Sequence, residues 1–308
     1  MTKKYDICVF GGCSLDMTFF QKEDSSFNTE ADIVVPGGKG ANQAVASSRA
    51  GAKVVMISKI GEDYIGEIIL NNLKTNKVDT NSLDISEDLK NDCCKIYIDY
   101  KTKDNEIVRE NGSINSFTID MVEQHKQTLL NSKVIVAQMK IPKEVSIALI
   151  NFCYKNNLPI VITPCRPEKL ILNNQENKEL LNKITYITAN KKECEIMFET
   201  TDIESCVKQY PNKLIVTLGN QGLIYHNGKQ IVKLNAIDVS PVVDTTGAGD
   251  TFCGNFSAFI SSGMEFSDAI EKAQYASALK ITEKTAQKGM PYLKDLNKFI
   301  KEYNKNHH

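Results

Sequence analysis

The sequence predicts an α/β fold: a doubly wound, mostly parallel sheet with helices on both faces and a small β lid. Three observations carry this. Short apolar runs rich in Val and Ile recur along the chain, each with the length of a buried strand. Amphipathic stretches of helical period separate them. Two extended, partly polar segments break the rhythm and suit a half-exposed sheet of their own. Strand–helix–strand repetition lays strands in parallel and packs helices against the faces.

In chain order, strands are expected at Ile7–Phe10, Val54–Ile60, Val134–Met139, Ile160–Thr163, Ile184–Thr188 and Leu214–Leu218. Between them, Tyr64–Thr75 aligns Ile65, Ile68, Ile69 and Leu73 on one helical face, and Lys143–Asn156 and Lys191–Thr200 are further amphipathic stretches. Asp16–Val35 reads as extended. Lys95–Tyr100 and Ile107–Arg109 read as a hairpin around the polar turn Thr102-Lys103-Asp104-Asn105. These segments give a lid from about 13–36 and 93–112. Asn227-Gly228, within Ile224–Ile231, is a strong hairpin-turn signal. Beyond Thr246 the chain is helical: Ala248–Ser262, Ser267–Glu283 and Leu293–Lys305. No repeat, low-complexity tract or long linker divides it, so one domain over residues 1–308 is expected.

Composition excludes several classes. Of 308 residues, 42% are hydrophobic and 24% charged, ordinary usage for a chain with a sizeable core. Lys plus Arg number 37 and Asp plus Glu 38, so bulk attraction to nucleic acid or an anionic membrane is not expected. The nine cysteines are odd in number and form no C-x-x-C pair, which argues against a disulfide framework or a zinc ribbon. Four histidines are too few for a His-rich metal site. The apolar run at the N-terminus stops at Gly11, and no run approaches the ~18 residues of a spanning helix. A cytoplasmic protein is expected.

Two segments carry chemistry. In Val242-Val243-Asp244-Thr245-Thr246-Gly247-Ala248-Gly249-Asp250-Thr251, a strand-like run enters and a helix leaves. Gly247, Ala248 and Gly249 keep side-chain bulk off the first helical turn. The unpaired N–H groups there attract an anion. Asp250 stands where a carboxylate could take a proton from an attacking hydroxyl. Alone, the same residues equally describe a tight turn with an acid in the first turn of a helix. Neither a Walker loop nor a G-x-G-x-x-G fingerprint is present. The second segment is Pro36-Gly37-Gly38-Lys39-Gly40-Ala41-Asn42-Gln43, which leads into a small-residue helix closed by Gly51. Lys39 offers cationic donors, and Asn42 offers a donor and an acceptor, as polyhydroxyl recognition needs. A glycine-rich turn before a helix is the plainer account.

Together, in this order and ~200 residues apart, the two segments resemble the signature motifs of the ribokinase/phosphofructokinase-B family of carbohydrate kinases. The likeness runs from about Ile7 to Pro291, and GGKGANQAVA at Gly37–Ala46 has the form usual in its ribokinase branch. The resemblance implies ATP-dependent phosphorylation of a primary sugar hydroxyl, most simply D-ribose to D-ribose 5-phosphate. It implies Asp250 as base and Gly247, Ala248 and Gly249 as an anion hole. Ser14, Asp16, Gly38, Lys39, Gly40, Ala41, Asn42 and Lys140 fall at sugar-side positions, with Asp250 reaching the same substrate. Asn190 and the Thr217-Leu218-Gly219-Asn220-Gln221-Gly222 loop fall on the nucleotide side with Gly249 and Gln274. Glu193 is implied as a magnesium contact through water, although Asn190 and Glu193 also spell a helix capping box. Asp244 and Thr246 match a monovalent-cation site, so potassium activation is expected. The lid is implied as a homodimer contact.

Three residues depart from the family pattern. Ser14 stands where ribokinases usually carry Asn, Lys140 where they carry Glu, and Thr285 where they carry Gly. Lys can only donate hydrogen bonds whereas Glu accepts them, so a nucleoside, an acidic sugar or a phosphorylated sugar stays open as substrate. A non-catalytic sugar-binding protein on the same fold is the remaining alternative.

Overall fold

The computed structural model describes residues 3–102, 105–170 and 175–307. Among these, nine strands form one sheet and four form a second. The strands in chain order are β1 (Tyr5–Phe10), β2 (Ser14–Phe20), β3 (Ile33–Gly37), β4 (Val54–Gly61), β5 (Asp79–Ser86), β6 (Cys93–Ile98) and β7 (Asn105–Glu110). They continue with β8 (Ser132–Gln138), β9 (Ile160–Thr163), β10 (Tyr186–Asn190), β11 (Leu214–Thr217), β12 (Leu223–His226) and β13 (Ile231–Leu234). The large sheet runs β13-β12-β11-β10-β9-β8-β1-β4-β5, parallel from β5 to β11, with β12 and β13 added antiparallel at one edge.

Burial on both faces explains why the central strands are continuously apolar. Along β1, Ile7 and Val9 enter one core and Cys8 and Phe10 the opposite one. Strand neighbours point to opposite faces, so both faces must be covered, and helices cover them. Each core then holds one alternating set from β1, β4 and β8: Val54, Met56, Val134 and Val136 on the first side, Val55, Ile57, Ile135 and Ala137 on the second.

The small sheet, ordered β3-β2-β6-β7, is the expected lid. Strand β2 pairs antiparallel with β3 and parallel with β6, and β6 and β7 form the expected hairpin. Of its turn, Lys103 and Asp104 lie outside the described residues. The β12–β13 hairpin closes as its sequence implies: the Asn227 side chain accepts from the backbone N–H groups of Lys229 and Gln230.

Two helices bring the motifs together. Lys39–Arg49 packs against Ala248–Ser261, and a Cβ at Gly254 would stand 2.6 Å from that of Ala46. The small residues therefore set a close crossing, which the Ser47 hydroxyl joins with a 3.0 Å bond to the Gly254 carbonyl.

Candidate active site

The crossing lays Asn42 and Gln43 directly on Asp250, which is 4% exposed. The Asn42 amide donates to Asp250 Oδ2 at 2.9 Å, and the Gln43 amide donates to Oδ1 at 3.1 Å. Each amide is itself held. Gln287 donates to Asn42 Oδ1 at 2.9 Å, and Gln138 donates to Gln43 Oε1 at 2.7 Å. The Lys39 ammonium stands 4.0 Å from Asp250 Oδ1. The Asp250 carboxylate holds the Lys39 pKa above the ordinary lysine range, against the opposing effect of burial. A carboxylate so fixed keeps further lone pairs for an incoming proton.

Gly247, Ala248 and Gly249, the residues expected to form an anion cradle, immediately precede Asp250. Gly247 caps the helix at φ 80, a left-handed conformation that suits glycine, and a Cβ there would meet Ala286 at 2.9 Å. While the Ala248 N–H donates to the Thr245 carbonyl, nothing stands within 4 Å of where a Cβ would project at Gly249, so the first turn faces open space on that side. That space is a cleft of about 510 Å³ lined by Thr217, Gly219, Asn220, Gly222, Thr245, Ala248, Gly249 and Gln274, with apolar walls from Ile237, Val239, Phe252 and Ile281. Leu218 and Gln221 do not line it; Leu218 packs against the core instead.

Asp16 lies on β2, near enough to feel the Asp250 charge. Its carboxylate sits over Gly37, where a Cβ would come within 2.6 Å of Oδ2. Gly38 holds φ 88 and leaves room for the Ser14 backbone, 2.6 Å from where its own Cβ would stand, and Gly40 abuts the Gly12 carbonyl. Ala41 is buried in the core rather than facing a cleft. Burial raises the Asp16 pKa, and the Asp250 charge adds to this; Lys140, Ser14 and Arg109 pull the other way. Lys140 is half-buried, and its charge is among those that pull the Asp16 pKa down.

Asn190 and Glu193 form a reciprocal capping box at the helix Lys191–Phe198. Burial raises the Glu193 pKa, opposed by the Asn190 backbone N–H and by Lys39, so Glu193 shares the electrostatic surroundings of Asp250. Four further residues belong to the site. Gln43, Gln138 and Gln287 orient it by hydrogen bonds across 95 to 245 residues of chain. Cys165 holds a left-handed backbone and feels the charges of Lys39, Asp250 and Glu193. No local signal marks any of them, although Gln43 lies inside a motif.

The profile of the pfkB family carbohydrate kinases matches residues 4–293. The chain belongs to the pfkB family of carbohydrate kinases. A ribokinase of Bacillus subtilis is 33% identical over 304 residues, covering 96% of this chain and 99% of its own. A ribokinase of Lactococcus lactis is 36% identical over 312 residues, covering 98% of each chain. The fold matches that of an Arabidopsis thaliana ribokinase complexed with ribose and ATP, with a TM-score of 0.86 over 98% of this chain and 99% of that one at 23% identity. This pfkB kinase is an ATP-dependent carbohydrate kinase, and its nine-stranded sheet with separate four-stranded lid is the ribokinase-like architecture. No helix among the described residues is long and apolar enough to cross a membrane.

Proposed function

We propose that this kinase transfers the terminal phosphoryl group of ATP to the primary hydroxyl of D-ribose, giving D-ribose 5-phosphate. The observation that carries the reading is the buried Asp250 carboxylate, fixed by Asn42 and Gln43 one residue beyond the open face at Gly249. ATP occupies the cleft bounded by Thr217, Asn220 and Gln274, with its terminal phosphate against the N–H groups of residues 247–249. The sugar lies between Asp16, Gly38 and Lys39, where Asp16 accepts hydroxyl protons and Ser14 supplies a shorter donor. Asp250 takes the proton of the attacking hydroxyl, while the helix N-terminus and Lys39 stabilise charge on the transferring group. Asn42 has its acceptor and one donor engaged within the protein, so its part is to hold Asp250 and offer one remaining N–H.

Magnesium enters with the nucleotide and supplies charge neutralisation at the phosphates. Glu193 is the residue to hold its water shell: a half-buried acid near Lys39 and Asp250 fits that role. The protein works in the cytoplasm as one kinase domain under a lid. It pairs through that lid, whose strands expose Phe20, Ile33, Val34 and Val108.

Lys140 favours a second reading. A cation beside Asp16 also suits an acidic or phosphorylated sugar. ADP release measured across D-ribose, 2-deoxy-D-ribose, nucleosides, aldonic acids and sugar phosphates separates the two. Activity on D-ribose well above the rest is expected. A sugar acid turned over while D-ribose is inert would replace the first reading with the second.

A further inference from the structure

The loop that carries Gly247 rests on an unusual charge. Lys280 ends the helix Phe266–Lys280, is wholly buried, and donates from Nζ to the Asp244 carbonyl oxygen at 2.7 Å. Both carboxylate oxygens of Asp244 are engaged as well. Oδ1 accepts from the Thr246 N–H and Oδ2 from the Thr285 N–H, each at 2.8 Å. Thr285 reaches that position at φ 62, a conformation costly for a β-branched residue. Val243 and Asp244 both donate to the Ile281 carbonyl, and Gly247 lies against Ala286. The two loops are thus one unit directly behind the anion cradle.

This is where the family resemblance implied a monovalent cation at Asp244 and Thr246. The residues present do not fit one. The Asp244 carboxylate oxygens each accept one backbone N–H, and what displaces an ion is the Lys280 ammonium, which already occupies the Asp244 carbonyl. A metal ion would share a buried space with an ammonium, and like charges repel strongly away from water.

We propose that Lys280 is a tethered cation that takes the place of a monovalent metal ion behind the anion cradle, so that this kinase works without potassium. Its ammonium neutralises the Asp244 loop from within the chain and holds residues 244–247 in register with residues 281–286. Lys280 is a positioning residue: it acts on the phosphoryl group only through that loop.

The test compares the wild-type kinase with Lys280→Met and Lys280→Ser in tetramethylammonium chloride and in KCl at equal ionic strength. ADP release and the thermal unfolding midpoint are both read. Wild-type rate and midpoint should agree between the salts within about twofold and experimental scatter respectively. Lys280→Met, which keeps the stem and loses the charge, should lose at least about tenfold in kcat in both salts. Lys280→Ser, which leaves a cavity beside Asp244, should regain rate and midpoint when potassium is added. Strong potassium stimulation of the wild type, or a wild-type rate in Lys280→Met, overturns the proposal. So does a folded Lys280→Ser that potassium does not rescue, because Lys280 would then be merely structural. If Lys280→Ser does not fold, the wild-type comparison decides. The midpoints need no sugar, so a wrong sugar assignment leaves this test intact.

Discussion

At Asp16 the structure sets function against stability. Burial holds its pKa above the ordinary aspartate range despite Lys140 and Arg109. A carboxyl whose pKa is raised on folding contributes stability that is full below its unfolded pKa. That stability is lost as pH rises through the folded value. At about pH 7 the Asp16 charge is therefore a net liability to the fold. Asp16→Asn should raise the melting temperature at neutral pH and lose that gain near about pH 3. The sugar KM should rise by roughly tenfold or more, because hydrogen bonds to a charged acceptor are lost. A melting temperature below wild type at neutral pH would contradict the reading.

At the scale of elements, the helix Ala248–Ser261 holds the proposed anion cradle and base in its first turn and packs at its middle. Gly249→Ala separates the two. A methyl group there meets nothing within 4 Å. Unfolding should thus stay at or slightly above wild type, since alanine is the better helix former. The methyl enters the cleft proposed for the phosphate, and kcat should fall at least about tenfold; an unchanged kcat would remove Gly249 from the cradle. The sequence made such elements legible where local chemistry decides. Tyr64–Thr75 has the bounds its periodicity predicts, and Asn227-Gly228 turns the hairpin it spells. Strand β5 escaped notice because Asp79–Ser86 is an edge strand whose polar residues interrupt any apolar run. Strand β10 begins at Tyr186, two residues beyond its predicted start at Ile184. Ile184 is buried in the core just before the strand, so its hydrophobicity reported packing rather than pairing. Within the site, Asp250 and Lys39 were readable because motif spacing carries them. Gln138, Gln287 and Lys280 were not, because their roles exist only once distant segments meet.

For the whole molecule, the lid is the part that cannot be understood alone. Four short strands leave Val34 and Val108 exposed on the face opposite Asp16, and Phe20 and Ile33 exposed on the Asp16 face, each about 39–44% exposed. Analytical ultracentrifugation should give twice the 34.4 kDa chain mass. Val34→Glu should shift it to monomer and raise the sugar KM more than the ATP KM. A wild-type monomer with full activity would refute pairing through the lid. The proposed phosphoryl transfer depends on Asp250 as the base. Its most direct test is the turnover of Asp250→Asn, with ATP and D-ribose binding followed by calorimetry. The prediction is a loss of at least ~10²–10⁴-fold in kcat with both affinities within a few-fold of wild type. Near-wild-type turnover in that variant would contradict it.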